Sequence, residues 1–192
     1  LAKQQVKVIS SQELGDMLEI PSTQVRKDLS YFGEFGQRGV GYEVSLLLEN
    51  LKQILGLDQD WEILLVGAGN LGRALANYGG FRGQGLNINY VIDSDPDKFN
   101  KEMGSASVYP PEKLETLIKQ KEIRVGVIAV PAEAAQKIAD KLVAAGIKAI
   151  WNFAPTRLEV PEGIKVRNED LSIGLISLTY HLSNEEPEEE TD

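Results

Sequence analysis

The sequence predicts an α/β protein in two parts, and three observations predict it. The residues before Gly56 read as short helices, a tight turn and a glycine-rich loop. The residues from Trp61 onward alternate short β-branched runs with helical segments, the signature of a parallel sheet with crossover helices. Gly67-Ala68-Gly69-Asn70-Leu71-Gly72 falls at the first strand-to-helix junction of that second part. The boundary is expected within Gly56-Leu57-Asp58-Gln59-Asp60.

In the first part, Ser10 or Ser11 can cap a helix that carries Glu13 to Leu18. Leu14, Met17 and Leu18 lie at i, i+3 and i+4 and predict its inward stripe. Glu19-Ile20-Pro21 is the turn. Ser22 is expected to cap a second helix, with Val25 and Leu29 inward and Gln24, Arg26, Lys27 and Ser30 facing elsewhere. Two short helices around a tight turn, the second with a polar outer side, make a helix-turn-helix. Glycines then follow at 33, 36, 39 and 41. Gln37 to Tyr42 is expected as a β-hairpin with Arg38 and Gly39 at its tip, which is what the wing of a winged helix requires. Val44 to Leu55 is an amphipathic helix.

The chemistry suits double-stranded DNA. An arginine reads guanine O6 and N7 in bidentate fashion. Lysine and serine reach phosphates. Arg38 on a wing suits a narrow minor groove. The competing reading is a small dimerisation domain whose bases pair with Asp28 and Glu34, and residues 1–57, with six bases and seven acids, do not refute it.

In the second part, strands are expected at Glu62–Val66, Asn87–Ile92, Ala106–Tyr109, Ile123–Val130, Ile147–Asn152 and Ile164–Val166. Helices are expected at Asn70–Tyr78, Pro111–Gln120, Ala132–Ala145 and over residues 169–182. The glycine turn then has the context of a Rossmann dinucleotide site. Gly67 allows the turn, Gly69 admits the pyrophosphate and Gly72 lets the helix approach the strand. Ala68, Asn70 and Leu71 complete it. Asp93 follows the second strand, where a carboxylate accepts both ribose hydroxyls and repels a 2′-phosphate, so NAD+ and NADH are favoured over the phosphorylated forms. Ligands in such sheets lie beyond the C-terminal strand ends. That brings Val130, Pro131, Asn152, Phe153 and Ala154 near the ribose and nicotinamide.

Composition removes other classes. The chain has 192 residues, no cysteine and one histidine, which excludes disulfides, thiolate chemistry and multi-histidine metal sites. No apolar run approaches the ~18 residues of a membrane span, and no signal peptide opens the chain, so the cytoplasm is the expected location. The chain opens at Leu1 without a methionine, read as processing or as a start inside a longer protein. Net charge is −9, but Glu185 to Asp192 carries six acids, and the rest balances 23 acids against 20 bases. Residues 183–192 are expected to be an acidic disordered tail. No catalytic residue or metal ligand stands out. His181 lies on the last apolar helix, and the prolines at 110 and 111 deny Tyr109 and Lys113 the continuous helix that a catalytic Tyr-x-x-x-Lys pair needs. The chain can bind a nicotinamide cofactor yet shows no means of using it on a substrate. A small NAD-dependent oxidoreductase with an N-terminal dimerisation module is the alternative.

Val25-Arg26-Lys27-Asp28-Leu29-Ser30-Tyr31-Phe32-Gly33 and Gly36-Gln37-Arg38-Gly39-Val40-Gly41-Tyr42 resemble the bacterial redox-sensing Rex repressors. The resemblance continues through Val66 to Gly72, Val130-Pro131, Ala144 to Ile147 and Asn152 to Pro155. It implies a homodimer that binds palindromic operators and is released by NADH. It implies a winged-helix domain at 1–57, a Rossmann domain at 58–168 and a swapped dimerisation helix at 169–182. Operator contacts would come from Arg26 and Lys27 on the recognition helix, and from Arg38 and Gly39 on the wing. Tyr78 and Asp170 match positions of a network that responds to nicotinamide oxidation state. That network also includes an arginine of an N-terminal helix, which no residue here matches, and Leu171 stands where the family can place an aromatic.

Overall fold

A computed structural model of the chain describes residues 6–37 and 39–183. Arg38, assigned above to the wing tip, and the acidic run beyond Ser183 lie outside the described residues. The chain divides into two compact units between Asp60 and Trp61.

The first unit runs β1 (Val8–Ile9), α1 (Ser11–Leu18), α2 (Ser22–Phe32), β2 (Gly36–Gln37), β3 (Gly41–Glu43) and α3 (Val44–Ile54). Ser10 caps α1 in a reciprocal box: the Glu13 N–H donates to Ser10 Oγ at 3.1 Å, and the Ser10 N–H donates to Glu13 Oε2 at 2.8 Å. Glu19 ends α1 in the left-handed region at φ 56°. The expected inward stripe of α1 is corrected: Met17 and Leu18 are 59% and 61% exposed. The helix approaches the turn through buried Gly15, where a Cβ would stand 2.6 Å from the Ile20 carbonyl oxygen. The contact there is backbone to backbone, and of the expected stripe Leu14 packs inward while Met17 and Leu18 do not. The cap of α2 is also corrected. Pro21, at φ −59°, precedes the helix, and Ser22 is its first residue and makes no cap bond. Val25 is buried, as expected.

Strands β1, β3 and β2 form a small antiparallel sheet in that order, with Gly36 opposite Tyr42 and Gln37 opposite Gly41. The hairpin β2–β3 is the expected wing. Strand β1, too short to show an alternation in sequence, was not foreseen. Ile9, Tyr42, Val44 and Leu47 form the core, with Leu14, Leu29 and Phe35 packed on it.

The second unit contains β4 (Trp61–Val66), α4 (Asn70–Ala76), α5 (Gly79–Arg82), β5 (Leu86–Ile92), β6 (Glu102–Met103), β7 (Ala106–Tyr109), α6 (Leu114–Gln120), β8 (Val125–Ile128), α7 (Ala132–Ala145), β9 (Ala149–Asn152), β10 (Lys165–Asn168) and α8 (Ser172–Ser183). The sheet order is β10-β9-β8-β4-β5-β7-β6. All its pairings are parallel except β6 with β7. The order reverses beside β4, so the C-terminal ends of β4 and β8 open a crevice there. Leu64, Leu65, Val91, Val127 and Ile128, at 0–1% exposure, run through the centre, buried on both faces as parallel strands are. One core cluster includes residues of α6 and α7, and the other includes residues of α4 and α5.

Three helix limits differ from expectation. Asn77 ends α4, and Tyr78 precedes α5. Pro111–Lys113 forms a 3₁₀ turn before α6 because the two prolines supply no N–H. Helix α8 begins at Ser172, where Asp170 accepts the Ser172 N–H at 2.9 Å and its hydroxyl at 2.6 Å. Leu171, Ile173, Leu175, Ile176, Leu178, Tyr180 and Leu182 are all exposed. No described helix is long and apolar enough to cross a membrane.

Candidate functional site

The turn after β4 is built by glycines for steric reasons. Gly67 has φ 108°, and a Cβ there would strike the Ala129 carbonyl. At Gly72 a Cβ would strike the Gly67 carbonyl, so helix and turn touch backbone to backbone. Gly69 is different: a Cβ there meets nothing within 4 Å. Its backbone faces open space, as a pyrophosphate approaching the turn requires.

Asp93, just past β5, is tied to this turn. The Ala68 N–H donates to Asp93 Oδ2 at 2.6 Å, and the Asp95 N–H donates to Oδ1 at 2.9 Å. Lys98 Nζ lies 3.3 Å from both oxygens. Burial pushes the Asp93 carboxyl up, but the two N–H groups and Lys98 outweigh it and hold the group below its ordinary value. Sequence reasoning assigned Asp93 to the ribose alone and missed Lys98. The spacing Asp93-x-Asp95-Pro96-x-Lys98 was the available signal.

Beyond the other strand ends, Val130 and Phe153 are half-buried and Pro131 is exposed. Asn152 belongs to the fold. Its side chain is 0% exposed and donates to Thr156 O at 2.8 Å and Asn168 Oδ1 at 2.9 Å. Its Oδ1 accepts the Ala154 N–H at 3.0 Å. Asn152 and buried Ala154 therefore shape the loop that presents Phe153, and no side-chain donor of Asn152 is spare for a ligand.

Phe153 ends an aromatic row. Its ring centroid is 4.5 Å from that of Trp151, which is 5.9 Å from Phe81, which is 4.8 Å from Tyr78. The structure thus joins Tyr78 to Phe153 through two rings that sequence reasoning did not single out. Trp151 Nε1–H donates to Glu169 Oε1 at 3.3 Å, one residue before Asp170. Asp170 caps α8, and no hydrogen bond joins it to Tyr78 among the described residues. His181 is exposed and touches the Tyr180 ring edge-on. No group of potential metal ligands occurs among the described residues.

In the first unit, α2 carries the assigned polar residues. Arg26 Nη1 donates to Ser11 Oγ at 2.7 Å, across to the start of α1. Gln24 donates to Asp28 at 2.6 Å, and Ser30 Oγ donates to the Lys27 carbonyl at 2.8 Å. The Lys27 ammonium has no hydrogen bond or ion pair among the described residues. Asp28 therefore takes an amide, and the base pairing that the dimerisation-module reading required with Asp28 and Glu34 is absent among the described residues. Arg26, Ser30, Ser10, Ser11 and Gly39 line a recess of about 750 Å³ between the helices and the wing. Gly39, at φ 81°, has open space around its Cβ position.

With this geometry in view, the comparisons with known proteins agree in both units. Residues 58–156 match the CoA binding domain family, and residues 1–30 match a family described as a putative DNA-binding protein N-terminus. The redox-sensing transcriptional repressor Rex of Pelotomaculum thermopropionicum is 49% identical over 93% of this chain and 84% of its own length. That of Streptomyces coelicolor is 47% identical over 98% of this chain and 73% of its own length. The crystal structure of the repressor RSP with β-NAD+ and operator DNA superposes with a TM-score of 0.91 at 43% identity, covering 96% of this chain and 85% of RSP. RSP with β-NADH superposes at 0.85 and 40% identity over 96% of this chain and 86% of RSP. The chain belongs to the Rex family of redox-sensing transcriptional repressors.

Proposed function

We propose that this chain represses transcription from palindromic operators as a homodimer and is released from them by NADH. One observation carries the reading: a glycine turn clipped to Asp93 shares a chain with a helix-turn-helix whose Lys27 ammonium has no partner among the described residues. RSP, similar over 96% of this chain, was solved with operator DNA and with each oxidation state of the cofactor, which supports both halves. Residues 1–57 are the DNA-binding domain, 58–168 the NAD(H)-binding domain and 169–182 a helix exchanged between subunits. The cytoplasm is its place of action.

Gly67, Gly69 and Gly72 admit the pyrophosphate, with Ala68, Asn70 and Leu71 around it. Asp93 orients the ribose. Val130, Pro131 and Phe153 border the nicotinamide, with Asn152 and Ala154 behind the loop and Tyr78 and Asp170 responding to the ring. When bound, NAD+ brings a cationic ring and NADH a neutral one, and a neutral ring costs less to desolvate against Phe153. Gln24, Arg26, Lys27 and Ser30 face the major groove, with Ser22 at the helix start, while Arg38 and Gly39 reach the backbone or minor groove. Regulation requires only that the two dimer states differ in cofactor affinity; a hundredfold difference is about 2.7 kcal/mol per site. No hydride transfer takes part.

Fluorescence anisotropy of a labelled palindromic operator at fixed salt tests this, without cofactor, with NAD+ and with NADH. Binding that NADH abolishes and NAD+ preserves is the expected result. Steady-state turnover of NADH with a carbonyl substrate would overturn it.

A further inference from the structure

The C-terminal ends of β9 and β10 are tied together by more than strand pairing. Trp151 lies opposite Arg167, and Asn152 opposite Asn168, in the parallel register. The Asn152 amide donates to Asn168 Oδ1 at 2.9 Å, and the Glu169 N–H donates to the Asn152 carbonyl at 2.8 Å. Trp151 Nε1–H then donates to Glu169 Oε1 at 3.3 Å. Arg167 Nε–H donates to the same oxygen at 2.8 Å and so holds the carboxylate in place. These two donors, Arg167 first, keep the Glu169 carboxyl below its ordinary value, which makes it a charged acceptor at neutral pH. The tie has a different element on each side. Phe153 follows Asn152, with its ring 4.5 Å from that of Trp151. Asp170 follows Glu169 and accepts the Ser172 N–H at the start of α8. The indole also packs on the buried cluster that contains Ala68 of the glycine turn and Val127.

From these contacts we infer that Trp151 and Glu169 are positioning residues, which carry the state of the nicotinamide from Phe153 to the start of α8. The inference rests on the proposed function, in which Phe153 borders the ring and α8 is exchanged between subunits. A ring seated differently against Phe153 displaces the indole beside it. Close-packed interiors transmit such a displacement instead of absorbing it. The indole N–H is bonded to Glu169, so the displacement reaches the residue that precedes the Asp170 cap. The charge on Glu169 makes that bond a strong one. The route also gives Tyr78 a connection to α8 that needs no direct bond to Asp170, because Tyr78, Phe81 and Trp151 are in successive ring contact. Two arrangements of the start of α8, one favoured by each cofactor state, are enough to shift the population of dimers.

The test measures the factor by which saturating NADH weakens operator binding, read by anisotropy of the labelled palindrome. The full chain is compared with Trp151→Phe, Glu169→Ala, the double variant and Glu169→Gln. Trp151→Phe keeps a ring for Phe81 and Phe153 and removes the N–H, and Glu169→Ala changes a half-buried surface side chain; thermal unfolding verifies each fold. Because NADH is saturating, the factor does not depend on cofactor affinity. It is expected to fall roughly two- to thirtyfold in each single variant. The double variant should lose no more than the larger single loss, since both changes break one bond. Glu169→Gln keeps an acceptor for the indole and should retain the wild-type factor. A wild-type factor in both Trp151→Phe and Glu169→Ala overturns the inference. So do losses that add in the double variant, or a Glu169→Gln variant that loses as much as Glu169→Ala. Wild-type operator binding that NADH leaves unchanged overturns the proposed function instead.

Discussion

Asp93 shows how one residue can have two functions. Its carboxylate closes the glycine turn onto the end of β5 and, in the proposed function, also meets the ribose. Asp93→Asn keeps the shape but replaces one acceptor oxygen with an amide, which faces the Ala68 or Asp95 N–H donor to donor. A lost charge-assisted hydrogen bond is worth about 1.5–3 kcal/mol, so NADH affinity should fall roughly ten- to a hundredfold in a fluorescence titration. The pH dependence follows from the lowered pKa. A carboxyl whose folded value is depressed contributes in full above its unfolded value, ~3.9. The contribution is lost as the pH falls through the folded value, lower still. NADH affinity should therefore be flat with respect to this group from pH 6 to 8. A titration step there would show that Asp93 is not clipped as described. At this scale the sequence was legible where sterics decide. Gly67 and Gly72 are the only residue type their positions admit. Asn152 and Lys98 were not legible in that way, because their roles depend on partners such as Asn168 and Asp93 that only the folded sheet brings near.

At the scale of elements, α2 separates two residues that the sequence treats as a pair. Arg26 and Lys27 lie about 100° apart on a helix of 3.6 residues per turn. Arg26 points to Ser11 at the start of α1, whereas the Lys27 ammonium has no partner among the described residues. The position of Arg26 suits a phosphate, and that of Lys27 suits a base edge. Arg26→Ala should therefore weaken binding to operator and scrambled DNA alike and reduce the slope of log affinity on log salt by ~0.9. Lys27→Ala should cost ~1–3 kcal/mol on the operator, with much less lost on scrambled DNA. Anisotropy over a salt series, on both DNAs, separates the two effects. Equal loss of specificity from both variants would show that both read bases. Element type was legible wherever a period ran long enough, as in α7, whose Ala132–Ala145 limits matched. It failed at β1 and β6, two residues each. It also failed on the face of α1, where Gly15 rather than Leu18 makes the contact.

For the whole molecule, α8 sets the strongest demand. With Leu171 just before it, the helix presents a row of seven large apolar side chains through Leu182, entirely exposed in a single chain. Burying a side chain of this size is worth ~1.5–3 kcal/mol, so the row represents roughly 10–20 kcal/mol in gross terms. Association costs about 4–15 kcal/mol in lost freedom, leaving a favourable balance if most of the row is covered. The family membership makes a second copy of the chain the occupant in the proposed function. A Leu175→Glu/Leu178→Glu variant places two charges in that row without disturbing either compact unit, since neither residue is buried in the single chain. Sedimentation equilibrium should show the wild type as a dimer and the variant as a monomer. The same change should affect DNA binding, because a dimer engages two half-sites and linkage multiplies affinity by ~10²–10⁴. The monomer should therefore lose that factor on the palindrome while binding a single half-site as the wild type does. Its NADH affinity separates two versions of the dimer. Unchanged affinity would mean that each subunit holds the cofactor alone. A parallel loss would mean that the partner's helix completes the pocket, making subunit exchange itself part of the redox signal.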